Sequence, residues 1–120
     1  MLTAAIPLIK VRTSEEGLSF YRDRLRFEVR SAYRSRAETR DPAYFVMVRE
    51  GATIHVSSFP GDGVAGGGVV TVLVSDIAAL HDELIRAGVD VGLGIMDQPW
   101  GDREVYVRDP AGNTIRFQSQ

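Results

Sequence analysis

The chain has 120 residues, 44% of them apolar, with a formal net charge of −2, enough for one domain that buries roughly two-thirds of its unfolded surface. It has no cysteine, which excludes a disulfide framework, a thiolate metal site and a Cys nucleophile. The longest uncharged run, Gly63–Ser75, is broken by glycines and too short for a bilayer, and Met1–Leu2–Thr3 has no export-signal character, so the cytoplasm is expected.

Ala4 to Val11 is apolar apart from Lys10 and predicts a strand, with Pro7 confining it to an edge or to exchange with a partner. Thr13 or Ser14 starts a helix with Glu15 and Glu16 in its first turn and Leu18, Tyr21 and Leu25 on one face. Phe27–Tyr33, Tyr44–Val48 and Thr53–Ser57 read as strands. Phe59–Gly68, with five glycines and a proline, is a linker. Val69–Val74 then repeats the opening strand. Asp76 caps a second helix striped by Ile77, Leu80 and Leu84 and closed by Gly88. Val89–Ile95 is a weaker strand broken by Gly92 and Gly94, and Asp97–Asp102 is a loop. Val105–Arg108 and Thr114–Phe117 flank the turn Asp109–Asn113 and form a hairpin.

The run VREGATIHV from Val48 echoes VRDPAGNTIRF from Val107, with the length difference absorbed in the turn. Each half therefore reads β-α-β-β-β, and the predicted fold class is α+β. Two βαβββ modules, about 1–60 and 67–120, make a single domain 1–120 of curved mixed sheets with a cleft. Hairpin pairing places Glu104, Tyr106, Arg108, Thr114, Arg116 and Gln118 on one face and Val105, Val107, Ile115 and Phe117 on the other. The same logic puts Val46, Val48, Ile54 and Val56 under a helix in the first half, and Phe45, Met47, His55 and Ser57 on the open face.

Charge is unevenly spread: residues 1–60 carry ten basic and seven acidic side chains, residues 61–120 four and nine. The arginines at 22, 24, 26, 30, 34, 36 and 40 are interleaved with Asp23, Glu28, Glu38 and Asp41. No nucleic-acid motif accompanies them, so a solvated face is the better reading and no nucleic-acid or membrane partner is expected.

Phe20–Tyr21–Arg22–Asp23 with Leu25 and Phe27, Val74–Ser75–Asp76, and Asp109–Pro110–Ala111–Gly112–Asn113, set in a duplicated βαβββ pattern, resemble the vicinal oxygen chelate superfamily. That superfamily includes glyoxalases, extradiol dioxygenases and bleomycin resistance proteins. AIPLIKVR near the start and REVYVRDPAGN near the end are most similar to the bleomycin-resistance branch. The resemblance implies the glyoxalase/bleomycin resistance fold and a homodimer with two clefts between subunits that sequesters a drug without altering it. In metal-dependent members, His and Glu on the first and last strands of each half hold a divalent ion. Those positions carry over to Ile6, His55, Val69 and Arg116. Ile and Val offer no donor and Arg116 repels a cation, so no metal, cofactor or catalytic residue is expected. Ser57 and His55 share a face but have no third partner for hydrolysis. His81 is expected to be exposed and without a role.

Trp100, between Pro99 and Gly101, is a stacking platform for a flat ligand, with Phe45 and Phe59 closing the sandwich. The remaining predicted ligand-binding residues are Met47, His55, Asp102, Glu104, Tyr106 and Arg116. Asp97, Asp102 and Glu104 suit a cationic aromatic antibiotic of the bleomycin type. The alternative is an enzyme or binder of the superfamily acting on another small natural product, possibly anionic, received by Arg116.

Overall fold

The computed structural model describes residues 1–119. Strand β1 (Leu8–Lys10) leads to helix α1 (Ser14–Gly17), which runs into a π-helical segment, Leu18–Arg24. Strands β2 (Glu28–Arg34), β3 (Ala43–Arg49) and β4 (Ala52–Ser57) complete the first module. The second comprises β5 (Val69–Val74), α2 (Ile77–Arg86), β6 (Met96–Asp97), β7 (Arg103–Arg108) and β8 (Thr114–Ser119). The sheets repeat one topology, β1-β4-β3-β2 and β5-β8-β7-β6, with the first strand of each parallel to the last. This is the predicted α+β architecture.

Local chemistry explains the helices. Thr13 Oγ1 accepts from the Glu16 amide, and Asp76 Oδ1 accepts from the Ala79 amide, so both helix starts are capped. The amide of Leu25 reaches back five residues to the Phe20 carbonyl at 2.9 Å. This wider turn carries Phe20 and Tyr21 into the core, where both are buried. On α2, Ile77 and Leu84 are buried and Leu80 packs beside them, as the stripe predicts.

Two predicted strands are shorter than expected. The first covers only Leu8–Lys10: Pro7 has no amide to donate, and residues 1–6 pair with no strand. The strand predicted over 89–95 is replaced by Met96–Asp97. Gly92 and Gly94 take positive φ, and Asp90 Oδ1 binds the Gly92 amide, which bends the segment. Its loop packs on His81, which is partly buried rather than exposed.

The hairpin faces of the second module are as predicted. Glu104 pairs with Gln118, Tyr106 with Arg116 and Arg108 with Thr114, while Val105, Val107, Ile115 and Phe117 are buried on the reverse side. The first module needs correction. Its turn is only Glu50–Gly51, because Arg49 pairs with Ala52, so Met47 faces Ile54 and Phe45 faces Val56. That is one residue out of step with the register carried over from the second hairpin. A one-residue slip sends every side chain of a strand to the opposite face. Phe45 and Met47 therefore lie in the core, while Tyr44, Val46 and Val48 share the open face with His55.

The turn Asp109–Asn113 fastens the two modules together. Buried Tyr21 donates its hydroxyl proton to Asp109 Oδ2 at 2.6 Å. The Asn113 side chain donates to Asp109 Oδ2 and to the Lys10 carbonyl, and its Oδ1 accepts from the amides of Gly66 and Gly68. At Gly66, φ is +98° and a Cβ would stand 2.6 Å from the Ala111 carbonyl oxygen, so only glycine fits. Arg49 adds a two-pronged bridge to Glu83 of α2, at 2.7 and 2.9 Å. The motif that carries the family resemblance is thus structural.

Candidate functional site: two open sheet faces

Each sheet has one face in the common core and one turned away from it. On the second sheet the open face carries Glu104, Tyr106, Arg108, Thr114, Arg116 and Gln118, flanked by Val69, Thr71 and Leu73 of β5. Arg116 Nη2 donates to Glu104 Oε2 at 2.9 Å, and its guanidinium carbon lies 5.6 Å from the Tyr106 ring centre. Glu104 is 0% exposed. Burial pushes its carboxyl up, but the Tyr106 hydroxyl, the Arg116 guanidinium and the Gln98 amide outweigh that and hold it below the usual range.

Trp100 stands beside this face on the turn between β6 and β7, and it is 64% exposed. The Gln98 side chain donates, through Nε2, to Glu104 Oε1 at 3.3 Å. Gln118 Nε2 donates to Asp102 Oδ2 at 2.8 Å, and the Gln98 backbone amide donates to the Asp102 carbonyl at 2.8 Å. Sheet-floor side chains therefore fix the turn at both ends, leaving the indole presented to solvent.

The open face of the first sheet is more aromatic. Tyr44 Oη lies 2.5 Å from His55 Nδ1, with the two rings edge to face. Burial and the charge of Asp62 both push the Tyr44 hydroxyl up, so it keeps its proton. Tyr33, across from Tyr44, is 63% exposed and stacks on Phe59 with ring centres 6.0 Å apart. Phe59 is held there by its own backbone: its carbonyl accepts from Lys10 Nζ and its amide donates to Ser57 Oγ. Ser57 in turn donates to Asp62 and is buried.

Of the predicted site residues, Glu104, Tyr106 and Arg116 are brought together, with Trp100 and Asp102 at their edge. His55 and Phe59 lie at the other sheet, against Tyr44 and Tyr33 respectively. Phe45 and Met47 belong to neither face, for the register reason given above. The expected acidity around Trp100 is reduced: Glu104 is paired with Arg116 and Asp97 with Arg103, while Asp102 is bonded to the neutral Gln118 amide, which offsets no charge. Tyr33 and Tyr44 were missed; the signal for Tyr44 was the two-residue turn, and for Tyr33 its pairing across from it.

A groove of about 740 Å³ lies between the modules and is lined by Pro7, Ile54, Val70, Val72, Leu80 and Phe117. It contains none of the predicted site residues.

The metal positions of the superfamily can be judged by chemistry. Leu8 lies across from His55, and Thr71 across from Arg116. One imidazole, one hydroxyl, a leucine and a guanidinium engaged with Glu104 do not make a donor set for a divalent ion. No group of three acidic or imidazole side chains comes together among the described residues.

The fold and its duplicated open faces define a class, and sequence comparison identifies it. A family model described as glyoxalase superfamily protein matches residues 1–120, and the chain belongs to that superfamily. Among solved structures, it is similar to a bleomycin-binding protein from bleomycin-producing Streptomyces verticillus, complexed with copper(II)-bleomycin. That pair shares 28% identity over 100% of this chain and 98% of the other, with a TM-score of 0.78. A superfamily member from Sphaerobacter thermophilus is 25% identical over 99% and 98%, with a TM-score of 0.74. A bleomycin resistance determinant encoded on transposon Tn5 shares the fold, at 18% identity, 99% and 98% coverage and a TM-score of 0.78. No curated protein matches. No helix among the described residues is long and apolar enough to cross a membrane.

Proposed function

We propose that this protein binds and sequesters a planar aromatic small molecule of the antibiotic type, without metal or cofactor. In this reading the chain is one domain of two modules, about 1–60 and 67–120, working in the cytoplasm as a homodimer. The ligand cleft lies between the aromatic face of the first sheet in one protomer and the Trp100 side of the second sheet in its partner. The observation that carries the reading is Trp100, exposed on a turn that Glu104 and Gln118 hold beside a mixed polar and aromatic face. The Tyr33–Phe59 stack offers the second plate of a sandwich. The 28% identical relative, described as bleomycin-binding, supports a drug-like ligand.

Stacking on Trp100 adds on the order of 1 kcal/mol beyond buried area. A bleomycin-type drug is expected to quench tryptophan emission saturably, at about one drug per chain. Trp100→Ala should weaken binding several-fold, read by calorimetry, with the circular dichroism spectrum unchanged. Drug binding that is indifferent to Trp100→Ala would show the stacking role to be wrong.

A further inference from the structure

The sign of charge that this cleft takes can be read from its second-sheet floor, given the cleft proposed above. Of the three carboxylates around Trp100, Glu104 and Asp97 are paired with Arg116 and Arg103, while Asp102, at the Trp100 end, is bonded to the neutral Gln118 amide, which offsets no charge. At the other end of the open face, around Arg108 and Thr114, what is uncompensated is positive. Arg108 is exposed and makes no hydrogen bond or ion pair among the described residues. Arg116 gives only one nitrogen to Glu104, and its Nε is buried without a partner. A buried donor left unpaired is costly, which favours an acceptor arriving from outside the chain.

Register fixes how these groups are disposed. Arg108 sits opposite Thr114 and Arg116 opposite Tyr106, so the two arginines are diagonal neighbours with Cα atoms about 7–8 Å apart. Thr71 lies next to Arg116 on the adjoining strand. Away from Asp102, at the Arg108 end, two guanidiniums face one buried carboxylate, a local surplus of one positive charge beside an aromatic ring and two hydroxyls. We infer that this half of the cleft receives the acidic group of a planar aromatic acid, a carboxylate or phenolate, between Arg108 and Arg116 with its ring against Tyr106. Guanidinium suits that partner because it meets a carboxylate with paired donors.

Three probes of one shape decide it: 2-naphthoate, 2-naphthamide and 2-naphthylmethylammonium, titrated by calorimetry. The naphthoate should bind about tenfold more tightly than the amide, since a charge-assisted hydrogen bond exceeds a neutral one by about 1.4 kcal/mol. The ammonium should bind weakest, and added salt should erode the naphthoate advantage. Arg108→Gln should bring naphthoate down to the amide and leave the amide unchanged. Because Arg116→Gln alone strands Glu104, the double variant Arg116→Gln with Glu104→Gln keeps a neutral pair and should lose the preference as well. Equal binding of all three probes, or preference for the ammonium, overturns the anion assignment while the aromatic cleft stands. If no probe binds at millimolar concentration but a bleomycin-type drug does, the anion assignment falls alone. If neither the probes nor the drug binds, both readings fall.

Discussion

Glu104 shows how one side chain ties the site to the stability of the fold. It is fully buried, and its carboxyl lies below the ordinary value of 4.5 because Tyr106, Arg116 and Gln98 outweigh burial. A group whose folded value is depressed stabilises the fold above its unfolded value, and that contribution disappears as pH falls through the folded one. Urea midpoints of the wild-type protein should therefore drop on acidification below about pH 4.5, and those of Glu104→Gln should drop less. Parallel losses in the two proteins would mean that Glu104 is not the responsible group. At pH 7 the variant should be the weaker of the two, because Arg116 then loses its charged partner.

At the scale of elements, the Tyr21–Asp109 contact joins the π-helical segment to the β7–β8 turn and so sets one module against the other. Tyr21→Phe removes one hydrogen bond to a buried carboxylate without opening a cavity. The expected loss is about 1.5–3 kcal/mol, seen as a lower urea midpoint at unchanged slope. An unaltered midpoint would show the contact to be energetically idle. The same elements show what could be read from the chain. The β7–β8 faces follow from alternation around a turn whose length the Asp109–Asn113 chemistry declares. The β3 faces did not follow, because Glu50–Gly51 closes in two residues and alternation alone cannot count a turn. Phe45 and Met47 were misplaced by that single slip, and Val46 and Val48 with them. Val89–Ile95 failed differently: apolar residues between glycines satisfy a strand pattern, but positive φ at Gly92 and Gly94 breaks it. The pairing of Glu104 with Arg116 was implicit in their shared face, yet burial of the acid arises only once Gln98 and the Trp100 turn close over it.

For the whole molecule, both open faces lie on the reverse of the common core, so one chain alone encloses neither. Residues 1–6 pair with no strand, Leu2 and Ile6 are exposed, and the outer edge of β5 shows Val69 and Leu73 to solvent. An isologous dimer exchanging the Met1–Ile6 arm onto such an edge would cover these surfaces and bring two faces together. Light scattering after size exclusion at micromolar concentration should give twice 13.2 kDa, and removal of residues 1–6 should shift the population toward 13.2 kDa. A monomer in the intact protein would leave the cleft unformed and the proposed function without its site.

The Asn113 fastening also bears on how the protein is made. Its amide holds the Lys10 carbonyl across 103 residues of sequence, and Tyr21 waits 88 residues for Asp109. During synthesis, Val11 and Tyr21 have left the ribosome long before the last hairpin exists to cover them. Contacts this distant slow folding, because a long loop must close before they contribute. Until then the first module is an unfinished surface, with apolar side chains open to whatever chaperone or neighbouring nascent chain reaches it first.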